Sequence, residues 1–330
     1  MPPFHLSFAP FDLQLDTFLH TRAFLNAMPT PSDLDVSRSP FSSILNFRDV
    51  GATINQFSHA PLLQSSLLYR SARPDDASLD DSHALRDIYR IHTILDLRSK
   101  TEHIEQARKQ EPQTNTSTNH APNEGSSVNA AKFSHMNLVG INLNGGGFTR
   151  ALLWRLRWSS CAKLLMCMAG GCRMQAVQIL SREVMEPRGL IGLGKDSVDH
   201  SKGEIRQVFE ALAVKSNYPL LLHCTQGKDR TGLIVILLLR LLDVPVSAIE
   251  ADYRASEGEL EVEREERIAE LRNVGLTEGF ADCPADFVEQ MLSYVEEKYG
   301  GVLKYLESCG VGQDSLDTLK RTLLQPQNET

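Results

Sequence analysis

Five residues separate Cys224 from Arg230 in the segment His223-Cys-Thr-Gln-Gly-Lys-Asp-Arg-Thr-Gly232. A loop of that length, with Gly227 where backbone freedom is needed, can curl until the N–H groups of Thr225, Gln226, Gly227 and Lys228 point at one anion. A helix starting behind the loop adds the positive end of its dipole. Arg230 can then grip two oxygens of a phosphate with its planar fork, which a lysine would not reproduce. The same positive field favours a thiolate at Cys224. That sulfur can attack phosphorus to form a phosphocysteine intermediate. The Thr231 hydroxyl lies where it could hydrogen-bond the sulfur and steady it as a leaving group. Asp229 is the nearest carboxylate in sequence for protonating a departing alcohol and then activating water. This chemistry calls for no metal and no cofactor.

A buried cysteine is often just a small hydrophobe, and Gly-Lys in a loop is commonplace. The conjunction of strand, His-Cys, five residues with Gly, Arg-Thr-Gly and apolar helix is what carries the reading. The strand is Pro219-Leu-Leu-Leu-His223, and the helix is the almost wholly apolar Thr231 to Leu242, which must be buried. Further strands are predicted at 66–69, leading to Arg70, at 91–97 and at 136–143. Helices are predicted at 18–28, 79–90 (with Leu79, Leu85 and Ile88 on one side), 204–213, 257–272, 287–299 and 315–324. The 257–272 helix is charged nearly all round and reads as solvated. Strands interleaved with helices give an α/β fold with a central, largely parallel sheet flanked by helices, followed by a helical C-terminal region.

The 330 residues suit one large domain or one domain plus an appendage, divided as 1–40, an N-terminal extension, and 41–330, the catalytic domain. From 110 to 130 the composition turns to Asn, Thr, Ser, Pro and Gly, the mark of a flexible surface insertion. Residues 151–184 read as two helices broken near Gly170-Gly171. Arg155, Arg157, Lys163 and Arg173 make them an amphipathic cap, with membrane-surface contact left open. The net charge of −8 argues against a nucleic-acid partner, so an anion-handling site must build its positive potential locally. The first residues lack the n-region and h-region of a secretory signal, and the longest apolar run is too short to cross a bilayer. The six cysteines fit no common zinc spacing and read as reduced thiols of a cytoplasmic protein.

The 223–232 segment resembles the signature of the protein tyrosine phosphatase superfamily, and its Gly-Lys-Asp-Arg version resembles the atypical bacterial and fungal tyrosine/phosphoinositide branch. Asn46-Phe-Arg-Asp-Val-Gly51, Tyr69-Arg-Ser71, Leu95-Asp-Leu-Arg-Ser99 with Glu102, and Asp252-Tyr-Arg-Ala-Ser256 are also similar, as is Lys298-Tyr-Gly300 near Tyr305-Leu306. The resemblance spans roughly 44–324, with the insertion as a departure. It implies the loop at the carboxyl end of the last central strand, and a helical lid within 150–190. No Trp-Pro-Asp acid loop is present, which leaves Asp229 as the implied acid, or as a residue that orients the loop. Lys228 would aim a cation at the mouth to hold extra phosphates, or be solvated. Asp96 and Arg98 would buttress the loop. Arg48 and Asp49 would do likewise, or pair with each other on the surface. His223 would be structural.

The implied activity is a phosphomonoesterase acting on phosphotyrosine proteins, with phosphoinositide or dual-specificity action as the alternative. A silent phosphate-binding module would need Cys224 or Arg230 to be missing. Sulfur transfer by a rhodanese-like loop leaves the His-Cys…Arg-Thr-Gly pattern unexplained.

Overall fold

Alternating strands and helices are what the computed structural model contains; it describes residues 38–110 and 132–326. The helix expected at 18–28, nearly all of the N-terminal extension and nearly all of the 110–130 insertion lie outside the described residues. Five strands form one sheet in the order β1-β2-β5-β3-β4: β1 (Arg48–Asp49), β2 (Leu68–Ser71), β3 (Thr93–Asp96), β4 (Asn137–Gly140) and β5 (Leu220–His223). All neighbours pair in parallel except β1, which runs antiparallel to β2. This is the α/β architecture expected.

Side chains on β5 alternate between two cores. Leu220 and Leu222 join the larger cluster with the helix that follows, while Leu221 joins Phe47, Tyr69 and Ile94 on the other face. A strand covered on both faces needs no polar alternation, which is why 220–222 is uninterrupted leucine. The following helix, Asp229–Leu241, is buried at nearly every position, as its all-apolar sequence requires.

Helices before the sheet centre are α1 (Val50–Ser58), α2 (Leu79–Asp87) and α3 (Lys100–Gln110). Three more, α4 (Gly146–Trp154), α5 (Trp158–Ala169) and α6 (Arg173–Leu180), precede a π-helical turn at Ser181–Met185 and then α7 (Glu186–His200) and α8 (Lys202–Ala213). After β5 come α9 (Asp229–Leu241), α10 (Val246–Leu260), α11 (Arg264–Val274), α12 (Phe287–Tyr299), α13 (Val302–Cys309) and α14 (Gln313–Leu323). The helical C-terminal region is thus present.

Three expectations change. The break at Gly170-Gly171 is found, but a second break after Trp154 makes three helices of the expected two. The single solvated helix at 257–272 is instead two helices joined by a 3₁₀ turn at Glu261–Glu263. The first of them buries Asp252, Tyr253 and Ser256, so only its end matched the charge pattern. Leu79 is exposed rather than aligned with buried Leu85, because residues six apart lie about 120° from each other around a helix, here begun at Leu79 by the Ser78–Asp81 capping box.

Strand register positions the site. Ser71 and Asp96 both lie abreast of His223. The segments leaving β2, β3 and β5 therefore emerge side by side at the carboxyl edge of the sheet, where ligands of open α/β sheets bind.

Candidate active site

The 224–228 segment is held from outside by its carbonyl groups. His223 O accepts from Leu97 N at 2.9 Å and Thr225 O from Arg73 N at 3.1 Å. Gln226 O accepts from Asn46 Nδ2 at 2.9 Å, and Gly227 O from Arg70 Nη2 at 2.6 Å. The backbone N–H groups of Cys224 to Lys228 carry no hydrogen bond among the described residues. With carbonyls drawn outward and N–H groups unpartnered, the loop has the polarity of an anion nest. Gly227 is demanded twice: its φ is +65°, and a Cβ there would meet Ser71 O at 2.1 Å.

Cys224 is buried at the head of this loop, and α9 starts at Asp229 behind it. Arg230, on the first turn of α9, turns back toward Glu102 at the start of α3. Its Nη1 donates to Glu102 Oε2 at 2.8 Å and its Nη2 to Oε1 at 2.5 Å, while Nη2 also reaches Thr225 Oγ1 at 3.2 Å. Ser99 fixes Glu102 in turn, through its N–H and its hydroxyl, both at 2.9 Å. Burial works against the Glu102 carboxylate, but Arg230, Thr225 and Ser99 together bring it down to about 2. The fork is thus oriented by one edge, and its Nε carries no protein partner among the described residues.

Glu102 predicts a measurable pH dependence. Its folded carboxyl titrates below the usual 4.5, at about 2, so the stability it contributes is fully present above pH 4.5 and is lost as pH falls toward 2. In urea unfolding, the gap between wild type and Glu102→Gln is expected to be widest near neutrality and to shrink steadily below pH 4.5. A gap that stays constant across that range would contradict the pairing.

A second carboxylate lies deeper. Asp252, wholly buried on α10, takes Arg48 Nε on Oδ1 at 2.8 Å and Arg70 Nη1 on Oδ2 at 2.5 Å. Burial opposes its ionisation, yet the two guanidinium groups hold it well below the usual carboxylate range. Arg48 also bonds Asp252 O at 2.7 Å, Ser256 Oγ at 3.1 Å and Asn46 Oδ1. Since Asn46 and Arg70 hold the carbonyls of Gln226 and Gly227, Asp252 sits at the root of the brace under the loop.

Behind β3, Arg98 Nη2 donates to Asp96 Oδ2 at 2.7 Å and to Asp75 Oδ1 at 3.3 Å, and its Nη1 is ion-paired with Asp75 Oδ2 at 2.7 Å. Asp96 is pushed up by burial but held far below its usual range by His223 and Arg98. The His223 ring faces Asp96 Oδ2 at 3.5 Å and the Cys224 carbonyl at 3.2 Å. Burial lowers its imidazole below the ordinary value, against the pull of Asp96.

Several sequence expectations land elsewhere. Lys228 neither points at a mouth nor lies in solvent: it is fully buried, and its Nζ donates to Asp282 O at 2.6 Å and to Phe280 O and Ala281 O at 3.3 Å. Its ammonium thus pins the 280–282 turn to the loop. The Thr231 hydroxyl makes no hydrogen bond to the Cys224 sulfur and has no partner among the described residues. Arg48 and Asp49 do not pair on the surface. Arg48 is buried against Asp252, while Asp49 caps α1, accepting from Ala52 N at 3.2 Å and Ser66 N at 2.5 Å. Asp229 is partly exposed, with Oδ1 unpartnered by hydrogen bonds and 3.6 Å from Lys228 Nζ. Gln226 is buried, with Oε1 lacking a partner.

Sequence reasoning did not single out Glu102, Arg70, Asp252 or Asn46 as site residues, although each stood in a stretch that carried the resemblance. The available signal was a charged residue beside strongly apolar neighbours, as in Leu-Leu-Tyr-Arg70.

A tyrosine phosphatase family model matches residues 39–325, which is most of the chain. The chain belongs to the tyrosine phosphatase family. A tyrosine-protein phosphatase of Nostoc commune is 31% identical over 168 residues, covering 46% of this chain and 57% of that protein. The triple specificity protein phosphatase PtpB of Mycobacterium tuberculosis is 27% identical over 121 residues, 32% of this chain and 44% of its own length. The chain therefore spans about half the length of the curated relatives it matches. Among the described residues, no helix is long and apolar enough to cross a membrane.

Proposed function

We propose that the protein is a cysteine-dependent phosphomonoester hydrolase acting on phosphotyrosine, with Cys224 as nucleophile. The observation that carries the reading is the 224–228 loop, whose carbonyls are tied outward and whose N–H groups are left unpartnered around a buried Cys224, with Arg230 set beside them by Glu102. In this scheme three phosphate oxygens sit against the loop N–H groups, and Arg230 offers Nε and the edge now resting weakly on Thr225. The Cys224 sulfur attacks phosphorus, the bond from phosphorus to the ester oxygen breaks, and Asp229 protonates the departing oxygen. Asp229 then takes a proton from water as that water attacks the phosphocysteine. The bond from phosphorus to sulfur breaks and inorganic phosphate leaves. The unpartnered Thr231 hydroxyl is free to meet the sulfur as it becomes a leaving group.

The catalytic domain in this proposal is 41–330, supported by the extent of the family match. The helices of 150–190 act as its lid: α6 meets α11 through Gln178 Nε2 and Asn273 O at 2.9 Å. The α11 residue Arg267 lines one pocket with Thr225, Gln226, Arg73 and Glu263. A cytoplasmic setting is supported by six free cysteines.

The reading is tested by para-nitrophenyl phosphate turnover, expected to survive metal chelation and to be blocked by vanadate; turnover that needs an added metal ion sinks it. A phosphotyrosine peptide is expected to outperform phosphoserine peptides and phosphoinositides. The name of the mycobacterial relative favours a broader range as the second reading. The burial of Lys228 weighs against it, since the loop cation that could hold extra phosphates is spent on protein carbonyls.

Asp229→Asn separates acid from scaffold. General acid catalysis is worth about 10²–10⁴-fold. The variant is therefore expected to slow an aryl phosphate with a poor leaving group about a hundredfold, and one with a good leaving group far less. Equal slowing of both would make Asp229 a loop-orienting residue.

A further inference from the structure

Helices α5 and α6 leave in solvent the side chains that helices of their composition ordinarily bury. Ser160 is the buried residue of α5, and Ala176 is the buried one among the described side chains of α6. Trp158, Ala162, Leu165 and Ala169 recur at helical spacing and form one outward stripe. Trp158 is 94% exposed, Leu165 62%, and Trp154 at the end of α4 81%. Met166 and Met168 flank the stripe, and Met174 and Val177 extend the apolar surface onto α6; all four are exposed. The opposite side is tied down, with Ser160 Oγ bonded to Glu183 at 2.7 Å and Gln178 to Asn273. The outward direction of the stripe is therefore fixed by the fold.

Charge says what this face fits. From Gly146 to Arg182 the sequence holds Arg150, Arg155, Arg157, Lys163, Arg173 and Arg182 and no aspartate or glutamate, in a chain whose net charge is −8. Arg155 is engaged with Asp196, but Arg150, Arg157 and Lys163 are exposed. An apolar stripe carrying tryptophan, bordered by cations, with no carboxylate of its own and the neighbouring Glu183 engaged with Ser160, matches the boundary of an anionic bilayer. There indole rings settle at headgroup level and Lys/Arg pair with lipid phosphates. A second copy of the chain fits less well, because packing stripe against stripe would bring two sets of like charges together.

We propose that the α5–α6 hairpin is a docking surface for an anionic lipid bilayer. This rests on exposure and charge, independently of the catalytic reading.

Trp154 and Trp158 are the two tryptophans of the chain, so intrinsic fluorescence reports on this face directly. Full-length protein is titrated with vesicles of phosphatidylcholine alone, or of phosphatidylcholine containing phosphatidylserine, with flotation as the parallel readout. A blue shift and co-flotation are expected with the anionic vesicles, little of either with the neutral ones, and reversal on adding salt. Each Lys or Arg near such a surface contributes enough that Arg157→Glu combined with Lys163→Glu should weaken partitioning at least about tenfold. Trp158→Ala should weaken it at low and high salt alike. Far-UV circular dichroism checks that these exposed-site variants keep the fold. Equal binding to both vesicle types, or no shift with either, overturns the proposal. So does a blue shift that grows with protein concentration without vesicles and tracks a sedimenting dimer, which would make the face a self-association surface.

Discussion

Replacing Cys224 with serine is expected to lower aryl phosphate turnover by roughly 10⁴-fold or more, as loss of a nucleophile does in other covalent catalysts. A serine hydroxyl in the same place is a far weaker nucleophile than a thiolate, and the histidine beside it is no base for it. His223 is buried, lies against the Cys224 carbonyl, and has its imidazole lowered by that burial. The fold should tolerate the change, because Cys-to-Ser alters volume little at this position. Anion binding should survive as well, because the N–H groups of the loop and Arg230 do not depend on the sulfur. Vanadate or phosphate protection against thermal unfolding, measured for both proteins, separates loss of chemistry from loss of the site. Turnover that persists in Cys224→Ser would contradict the mechanism.

The second large effect concerns stability. Asp252→Ala is expected to cost about 3–5 kcal/mol, the usual penalty for breaking a buried ion pair from one side. The cause is specific: Arg48 and Arg70 face each other across β1 and β2, and both are buried. Without Asp252 they become two like charges that have lost the carboxylate in contact with both. Urea denaturation measures the loss as a lower midpoint at unchanged slope. Activity should fall too, well below the unfolding midpoint, because Arg70 would lose its anchor while still holding the Gly227 carbonyl. A cost below about 1 kcal/mol, the range of an exposed ion pair, would contradict this account of the brace.

These two residues differ in how well the sequence displayed them. The loop from His223 to Gly232 is contiguous, so its strand, glycine, arginine and apolar helix were legible as one pattern. The two central strands are legible for the same reason, since 220–222 and 94–95 are short apolar runs; the two-residue β1 at Arg48–Asp49 has no such run and is not predicted, and β2 runs over 68–71 rather than 66–69. Asp252 contacts Arg48 across 204 residues of sequence, and that pairing depends on how α10 packs beside α1 and β2. No local pattern encodes it, and the neighbouring charge run at 257–272 marks only the solvated end of the helix. The place of Lys228 is illegible for a related reason. A lysine in a polar loop reads as solvated or ligand-facing, whereas the 280–282 turn returns to cover it. Helix α1 is not legible because Val-Gly-Ala-Thr-Ile-Asn has weak helix propensity; packing of Val50 and Ile54 into the core and the Asp49 cap overrule it.

Glu102 falls between these cases. The sequence placed it in a motif, but its task emerged only when α3 brought it against Arg230 and Thr225. The candidate active site is thus a local loop made rigid by distant partners, and the two can be tested separately.

The most direct test of the central claim is rapid acid quenching of the enzyme during turnover of an aryl phosphate, followed by digestion and mass spectrometry. With a good leaving group, the expected result is a phosphoryl group on the peptide holding Cys224, accumulating further when Asp229→Asn slows its hydrolysis more than its formation. A phosphoryl group on any other residue, or steady turnover with none trapped in either protein, would contradict nucleophilic attack by Cys224.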